Sequence, residues 1–217
     1  MTANGSRLAA LAAIGALAAC APRSVKPDDM GARAHRAAAL DDHAKAAVEA
    51  RAYDPAKQVK TVEVVINGSS EAVVKSESNP TQSHLDAAAA LTAHAKAHER
   101  AAAELEGDET RECVGVAVSA RTACPWLGAL ARSEDIPEGV RLRPADGATI
   151  ERLASTMRCH YAFAEARGFD ETVSCPLYFK GVRLQLSSDG SGVEVVGDTT
   201  GVAREIQRRA GASVSGK

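Results

Sequence analysis

Two alanine-rich stretches of the chain carry nearly the same ten residues. Residues 37–46 read AAALDDHAKA and residues 88–97 read AAALTAHAKA, so eight of the ten positions agree. Alanine, leucine, lysine and glutamate are strong helix formers, whereas Asp54-Pro55 and Gly107 are stop signals. We therefore predict two helices, over 32–52 and 85–106, that fold back on each other as an alanine-rich helical hairpin with a shared seam.

The segment between these helices has the pattern of a β-hairpin. Residues 59–66 and 72–75 are rich in valine and flank Asn67-Gly68, a strong hairpin-turn signal. We predict that residues 32–107 form one unit, a helical hairpin with a β-hairpin insert.

The second half of the chain, residues 108–210, alternates strand and helix signals. The segments 138–153 (EGVRLRPADGATIERL) and 191–206 (SGVEVVGDTTGVAREI) align as strand, capping residue and helix, with Asp146 as the cap of a helix over 147–167. The chain is therefore predicted to be α+β, with the helical hairpin followed by a small antiparallel sheet that carries helices on one face. A β-β-α duplication would explain the alignment, although any β-hairpin followed by a capped helix gives a similar one. Residues 211–217 are predicted to be a disordered tail.

The N-terminus combines a charged start, a short apolar run and a cysteine. Arg7 precedes the apolar run Leu8–Ala19, which is too short for a membrane span, and Cys20 follows it. The string Leu17-Ala18-Ala19-Cys20 resembles the lipid-attachment box of bacterial lipoproteins. The resemblance implies a signal peptide over 1–19, a lipidated Cys20 with palmitate-type acyl chains, and a tether over 20–31. An ordinary cleaved signal with an incidental cysteine is the alternative.

The same resemblance implies where the protein is located, but not what it does there. Because Ala21, not aspartate, follows the cysteine, a lipoprotein of this type is expected in the outer membrane facing the periplasm. The stretches MRCHYAFAEARGFD and SCPLYFKGV resemble uncharacterised cell-envelope lipoproteins, and this resemblance carries no activity with it. Our first hypothesis is a membrane-anchored, non-enzymatic binding or structural module with an envelope protein partner. The net charge of -2 gives no support for a nucleic-acid partner. Motifs of hydrolases, phosphate-binding loops and metalloproteases are missing, so an enzyme is not favoured.

Four cysteines follow Cys20, namely Cys113, Cys124, Cys159 and Cys175. An even number in an exported chain predicts disulfides, and three pairings exist. Cys159–Cys175 together with Cys113–Cys124 is favoured because the intervening loop after Cys159 is short. The rival with Cys113–Cys175 and Cys124–Cys159 would tie the two repeats together.

Histidines concentrate in the two alanine-rich helices. His94 and His98 are four residues apart, which lets two imidazoles on one helix face share a metal ion. His43 aligns with His94 through the repeat and would add a third ligand across the helical hairpin. These three histidines predict a site for zinc, copper or nickel as the alternative function. If they are only polar residues on an alanine seam, no cofactor is expected.

Overall fold

The N-terminal part of the protein is an antiparallel helical hairpin. A computed structural model describes residues 25, 30–67, 70–124, 131–145, 147–169 and 175–215. Helix α1 spans Ala32–Ala52 and α2 spans Gln82–Glu112, and the two pack along their length. The bounds of α1 are those predicted from the sequence. Helix α2 is longer than predicted, because Gly107 lies inside it and does not end it.

The buried positions of the seam between the two helices repeat every three or four residues along α1 and are less evenly spaced along α2. On α1 the buried positions are Ala32, His35, Ala39, Asp42 and Ala46. On α2 they are Ala88, Ala95, His98, Ala101, Ala102 and Leu105. A spacing of three and four keeps one face of each helix on its partner. Alanine lets the backbones approach closely but buries little apolar area. Contacts between the polar residues of the seam therefore contribute a larger share of its stability than they would in a leucine-rich seam.

Strands β1 (Val59–Asn67) and β2 (Ser70–Ser78) form a two-stranded antiparallel ribbon between the helices. It starts after a single 3-10 turn at Pro55–Lys57, capped by the Asp54 carboxylate, which accepts from the Ala56 amide at 2.9 Å. Residues just before α2 hydrogen-bond to the same turn. Thr81 Oγ1 accepts from the Asp54 amide at 3.0 Å, and Asn79 Nδ2 donates to the Asp54 carbonyl at 2.8 Å. The ribbon therefore marks one end of the helical hairpin.

We define the head domain as residues 131–215. Its mixed strands and helices confirm the predicted α+β class. Its strands are β3 (Ala131–Ile136), β4 (Gly139–Pro144), β5 (Val182–Leu186) and β6 (Val193–Gly197), in the antiparallel order β3-β4-β6-β5. Helix α4 (Ile150–Ala166) follows the first strand pair and α5 (Thr200–Ser215) follows the second. The two β-β-α units thus meet through their second strands, β4 and β6.

One face of this sheet is apolar and packs against the helices. Val140 lies opposite Val195 and Leu142 lies opposite Val193, and all four are buried. Residues Leu153, Met157 and Phe163 of α4 and Ile206 of α5 complete the same core. On the opposite face Arg141 pairs with Glu194, their Nη2 and Oε1 atoms 2.7 Å apart. This alternation of apolar and polar residues explains why the helices cover only one side.

The helical hairpin and the head domain meet where α1 begins and α2 ends. Ala32, Ala102 and Leu105 form a small apolar cluster with Ala166 of α4. The Glu109 carboxylate binds Arg121 of the short helix α3 (Val118–Arg121) at 2.7 Å and Arg167 at 3.1 Å. Among the described residues no helix is long and apolar enough to span a membrane.

Two disulfides reinforce this region, which confirms the predicted bonds but not their pairing. Cys113 is bonded to Cys159, and Cys124 is bonded to Cys175. Both sequence-based pairings were therefore wrong. The reason is the length of α2, which runs to Glu112 and carries Cys113 onto the side of α4, where Cys159 lies. The segment from Cys113 to Cys124 is not one short helix, as only Val118–Arg121 is helical.

Three further boundaries differ from the sequence-based prediction. Helix α4 begins at Ile150 with Thr149 as its cap, whose hydroxyl accepts from the Arg152 amide at 3.3 Å, while the predicted cap Asp146 lies outside the described residues. The sequence pattern predicts a strand over 177–186, but strand β5 begins only at Val182, after a series of turns from Pro176 onward. Helix α5 continues to Ser215, so residues 211–215 are helical and the predicted disordered tail was wrong there.

Burial of His160 predicts a dependence of stability on pH. Burial lowers the pKa of His160 below its ordinary value near 6.5, so the unfolded chain takes up this proton at a higher pH than the folded protein. Stability then rises with pH through this range and falls as the pH drops below about 6.5. We expect His160→Asn to flatten this dependence in urea unfolding at about pH 7.5 and 5.5. An unchanged pH dependence in the variant would show that His160 does not contribute.

Candidate functional site

Polar pairs cross the seam of the helical hairpin at regular intervals. Three α1 residues spaced seven apart, namely His35, Asp42 and Glu49, each contact a histidine of α2. Their partners, in the same order, are His98, His94 and His84. Since the helices are antiparallel, numbers rise along α1 as they fall along α2. Polar residues at seam positions fix the register of paired helices, and these pairs set which residues of α1 and α2 come together.

His35 and His98 form the most buried of these pairs. Their Nδ1 atoms lie 2.8 Å apart, and the residues are 0% and 6% exposed, respectively. A hydrogen bond between two ring nitrogens needs one donor and one acceptor, so the two imidazoles must hold complementary protonation at Nδ1. Their ring centroids are 5.2 Å apart. The contact thus fixes the orientation of both rings.

Asp42 and His94 form the neighbouring pair. Asp42 Oδ2 lies 2.6 Å from His94 Nδ1, and Asp42 is 8% exposed. The His94 ring also meets the His98 ring edge to face, at 4.7 Å between centroids. One ligand atom from each of Asp42, His94 and His98 lies within 4.8 Å of the others. We call these three residues, with His35 behind them, the seam cluster.

The position of His43 contradicts its predicted role as the third ligand. His43 Nε2 contacts Glu99 Oε1 at 3.1 Å on an exposed flank of the helical hairpin. Arg36 and Glu106 form a similar pair further along this flank. The structure therefore brings together His94 and His98, as predicted, but places Asp42 and His35 beside them instead of His43. The i, i+4 spacing of histidines in the sequence indicates only the α2 half of the cluster.

The remaining predicted site residues are cysteines. Cys113, Cys124, Cys159 and Cys175 are all disulfide-bonded, so none of these four offers a thiolate as a nucleophile or ligand. Cys20 lies outside the described residues. The chemistry available at the seam is thus that of imidazole and carboxylate.

Fold and site together define an α+β protein with a histidine-bearing antiparallel helical hairpin. No family model, no curated protein and no solved structure matches this chain.

The His35–His98 pair predicts a compensating double variant. His35→Leu alone removes the hydrogen-bonding partner of the buried His98 Nδ1, which is expected to cost about 1–3 kcal/mol of stability. His35→Leu/His98→Leu replaces both polar groups by apolar ones and should recover most of that loss. Thermal or urea unfolding of the wild type, both single variants and the double variant measures the coupling. Simple additivity of the two single effects would contradict a direct contact.

Proposed function

We propose that the protein is an exported, lipid-anchored cell-envelope protein that uses its helical hairpin as a binding element. The observation that supports this is the use of the cysteines. All four cysteines after Cys20 pair in two disulfides, bonds that form and persist in oxidising compartments outside the cytoplasm. The fifth, Cys20, stands directly after the apolar run that resembles a lipoprotein signal.

The geometry of the helical hairpin fits an anchor at its base. Helix α1 begins after Gly31, against the end of α4, where a Cβ on Gly31 would lie 2.5 Å from the Gly168 nitrogen. Residues 20–31 can reach about 35 Å from that point. The 21 residues of α1 span about 30 Å from that point to the ribbon end of the helical hairpin. An anchored protein would thus hold its head domain near the bilayer and its β-ribbon away from it.

The proposed location is the outer membrane facing the periplasm, and the proposed partner is another envelope protein. The ribbon end is suited to such a contact, because within the described residues β1 and β2 pair only with each other. Unpaired strand edges are ready templates for a strand of another chain. The seam cluster lies between this end and the junction with the head domain.

Cys20→Ser is expected to abolish stable membrane attachment. The acyl chains are attached through the cysteine thiol, and stable anchoring takes more than one chain. We expect the wild type in the membrane fraction and the variant either unprocessed or in the soluble periplasmic fraction. Mass spectrometry of the wild-type N-terminus should show an acylated Cys20 as the first residue.

Ser24→Ala provides a matched control in the tether and should stay in the membrane fraction. Recovery of the wild type with an unmodified N-terminus at another residue would refute the lipid anchor. Export without lipidation would leave the disulfides in place and would support the ordinary cleaved signal instead.

A further inference from the structure

The seam cluster has the donor set and spacing of a metal site. One ligand atom of each residue lies within 4.8 Å of the other two, and Asp42 Oδ2 lies 2.6 Å from His94 Nδ1. Around a tetrahedral zinc ion, bonds of 2.0–2.1 Å place ligand atoms about 3.3 Å apart. Small side-chain rotations would therefore bring all three donors to ligand distance. We infer that Asp42, His94 and His98 bind a divalent transition metal ion of the zinc class.

Burial of the cluster supports a site rather than a surface coincidence. Asp42 and His98 are 8% and 6% exposed, and the other buried positions of the seam are His35, several alanines and Leu105. A carboxylate in such surroundings must be paired or coordinate a metal, because an isolated buried charge is very unfavourable. Here the His94 imidazole contacts the Asp42 carboxylate at 2.6 Å. A divalent cation bound to both residues would neutralise the buried carboxylate.

His35 adds the outer contact that metal sites use to orient their histidines. Its Nδ1 lies 2.8 Å from His98 Nδ1, and it is fully buried. Metal-bound histidines almost always hydrogen-bond through their other ring nitrogen, which fixes the tautomer and the ring orientation. Because Nδ1 of His98 contacts His35, Nε2 is the nitrogen that we assign to the ion. We therefore assign His35 as a positioning residue and not as a ligand.

The donor set selects the class of metal. Imidazole suits zinc, copper and nickel, whereas calcium and magnesium prefer sites built from oxygen alone. Three protein ligands leave one position of a tetrahedral ion for water or another ligand. A divalent transition metal ion would thus be the ligand of the helical hairpin, an assignment that rests on the binding role proposed for it above.

Calorimetric titration of the full-length protein in detergent, stripped of metal by a chelator, tests the inference. We expect zinc and nickel to bind with one ion per chain and calcium and magnesium not to bind. His94→Ala/His98→Ala should weaken zinc binding at least 100-fold. His35→Gln should weaken it about 10- to 100-fold, and His35→Asn, which can place an amide near the Nδ1 position, should recover part of the loss.

The chain offers a matched control in His43. His43→Ala removes an imidazole of the helical hairpin that contacts Glu99 on an exposed flank, outside the cluster, so zinc affinity should be unchanged. Asp42→Asn keeps the shape of the aspartate and should weaken zinc binding at least 10-fold. If His94→Ala/His98→Ala loses its helical circular dichroism signal and so does not fold, the Asp42→Asn variant provides the test instead. Absence of zinc binding in the wild type, or wild-type affinity in Asp42→Asn, would overturn the inference. Neither result would affect membrane fractionation, which tests the anchor separately.

Discussion

Replacing Cys113 and Cys159 together by alanine is expected to lower the free energy of unfolding by about 4 kcal/mol. The bond closes a loop between residues 46 apart in sequence, and removing it returns the corresponding entropy to the unfolded chain. The same bond joins the end of α2 to α4, so its loss should loosen the helical hairpin from the head domain. Urea unfolding measures the free energy, and amide exchange near Ala32 and Ala166 measures the loosening.

Val114→Ala is the matched control for this variant. Val114 follows Cys113 directly but is 81% exposed, so its truncation should change stability by less than about 0.5 kcal/mol. A loss below about 1 kcal/mol in the cysteine double variant would mean that the apolar cluster and the Glu109 ion pairs hold the junction without the disulfide.

Phe163→Ala is expected to destabilise the protein by about 4 kcal/mol. Among the described residues, Phe163 is the largest fully buried side chain, and it lies in the core of the head domain. Its removal combines lost burial with a cavity that the surroundings fill only in part. The Arg167 guanidinium carbon also lies 3.5 Å from the centre of its ring, and this cation–π contact adds about 0.5–1 kcal/mol.

Phe163→Leu separates these contributions, because it keeps most of the buried volume and loses the ring. We expect the leucine variant to cost clearly less than the alanine variant in thermal and urea unfolding. Equal losses in both would place the whole effect in the aromatic contact with Arg167. A loss below about 1 kcal/mol in Phe163→Ala would contradict the core position of this side chain.

Local signals in the sequence were sufficient for the elements and the fold class. The bounds of α1 follow from helix-forming residues and a proline stop, and the paired strands of the ribbon follow from Asn67-Gly68. Gly107 misled the prediction of α2, because a single glycine inside a helix costs only about 1 kcal/mol. Packing of α2 against α1 and α4 outweighs that cost.

The pairings across elements could not be predicted in the same way. The repeat aligned His43 with His94 by translation along the chain, whereas antiparallel helices face each other with reversed numbering. Asp42, one position away, therefore takes the place predicted for His43. A seven-residue spacing of polar residues at 35, 42 and 49 is the signal that could have identified the α1 half of the cluster. The disulfide pairing failed for a related reason, since it depends on where α2 ends against α4.

The most direct test of the seam cluster as a metal site is anomalous diffraction from crystals of the protein soaked in zinc, with data on both sides of the zinc absorption edge. An anomalous difference peak bonded to His94, His98 and Asp42, with His35 hydrogen-bonded to His98 behind it, is the predicted result. A peak at His43 and Glu99 instead, or no peak between α1 and α2 at a zinc concentration that saturates the calorimetric titration, would contradict it.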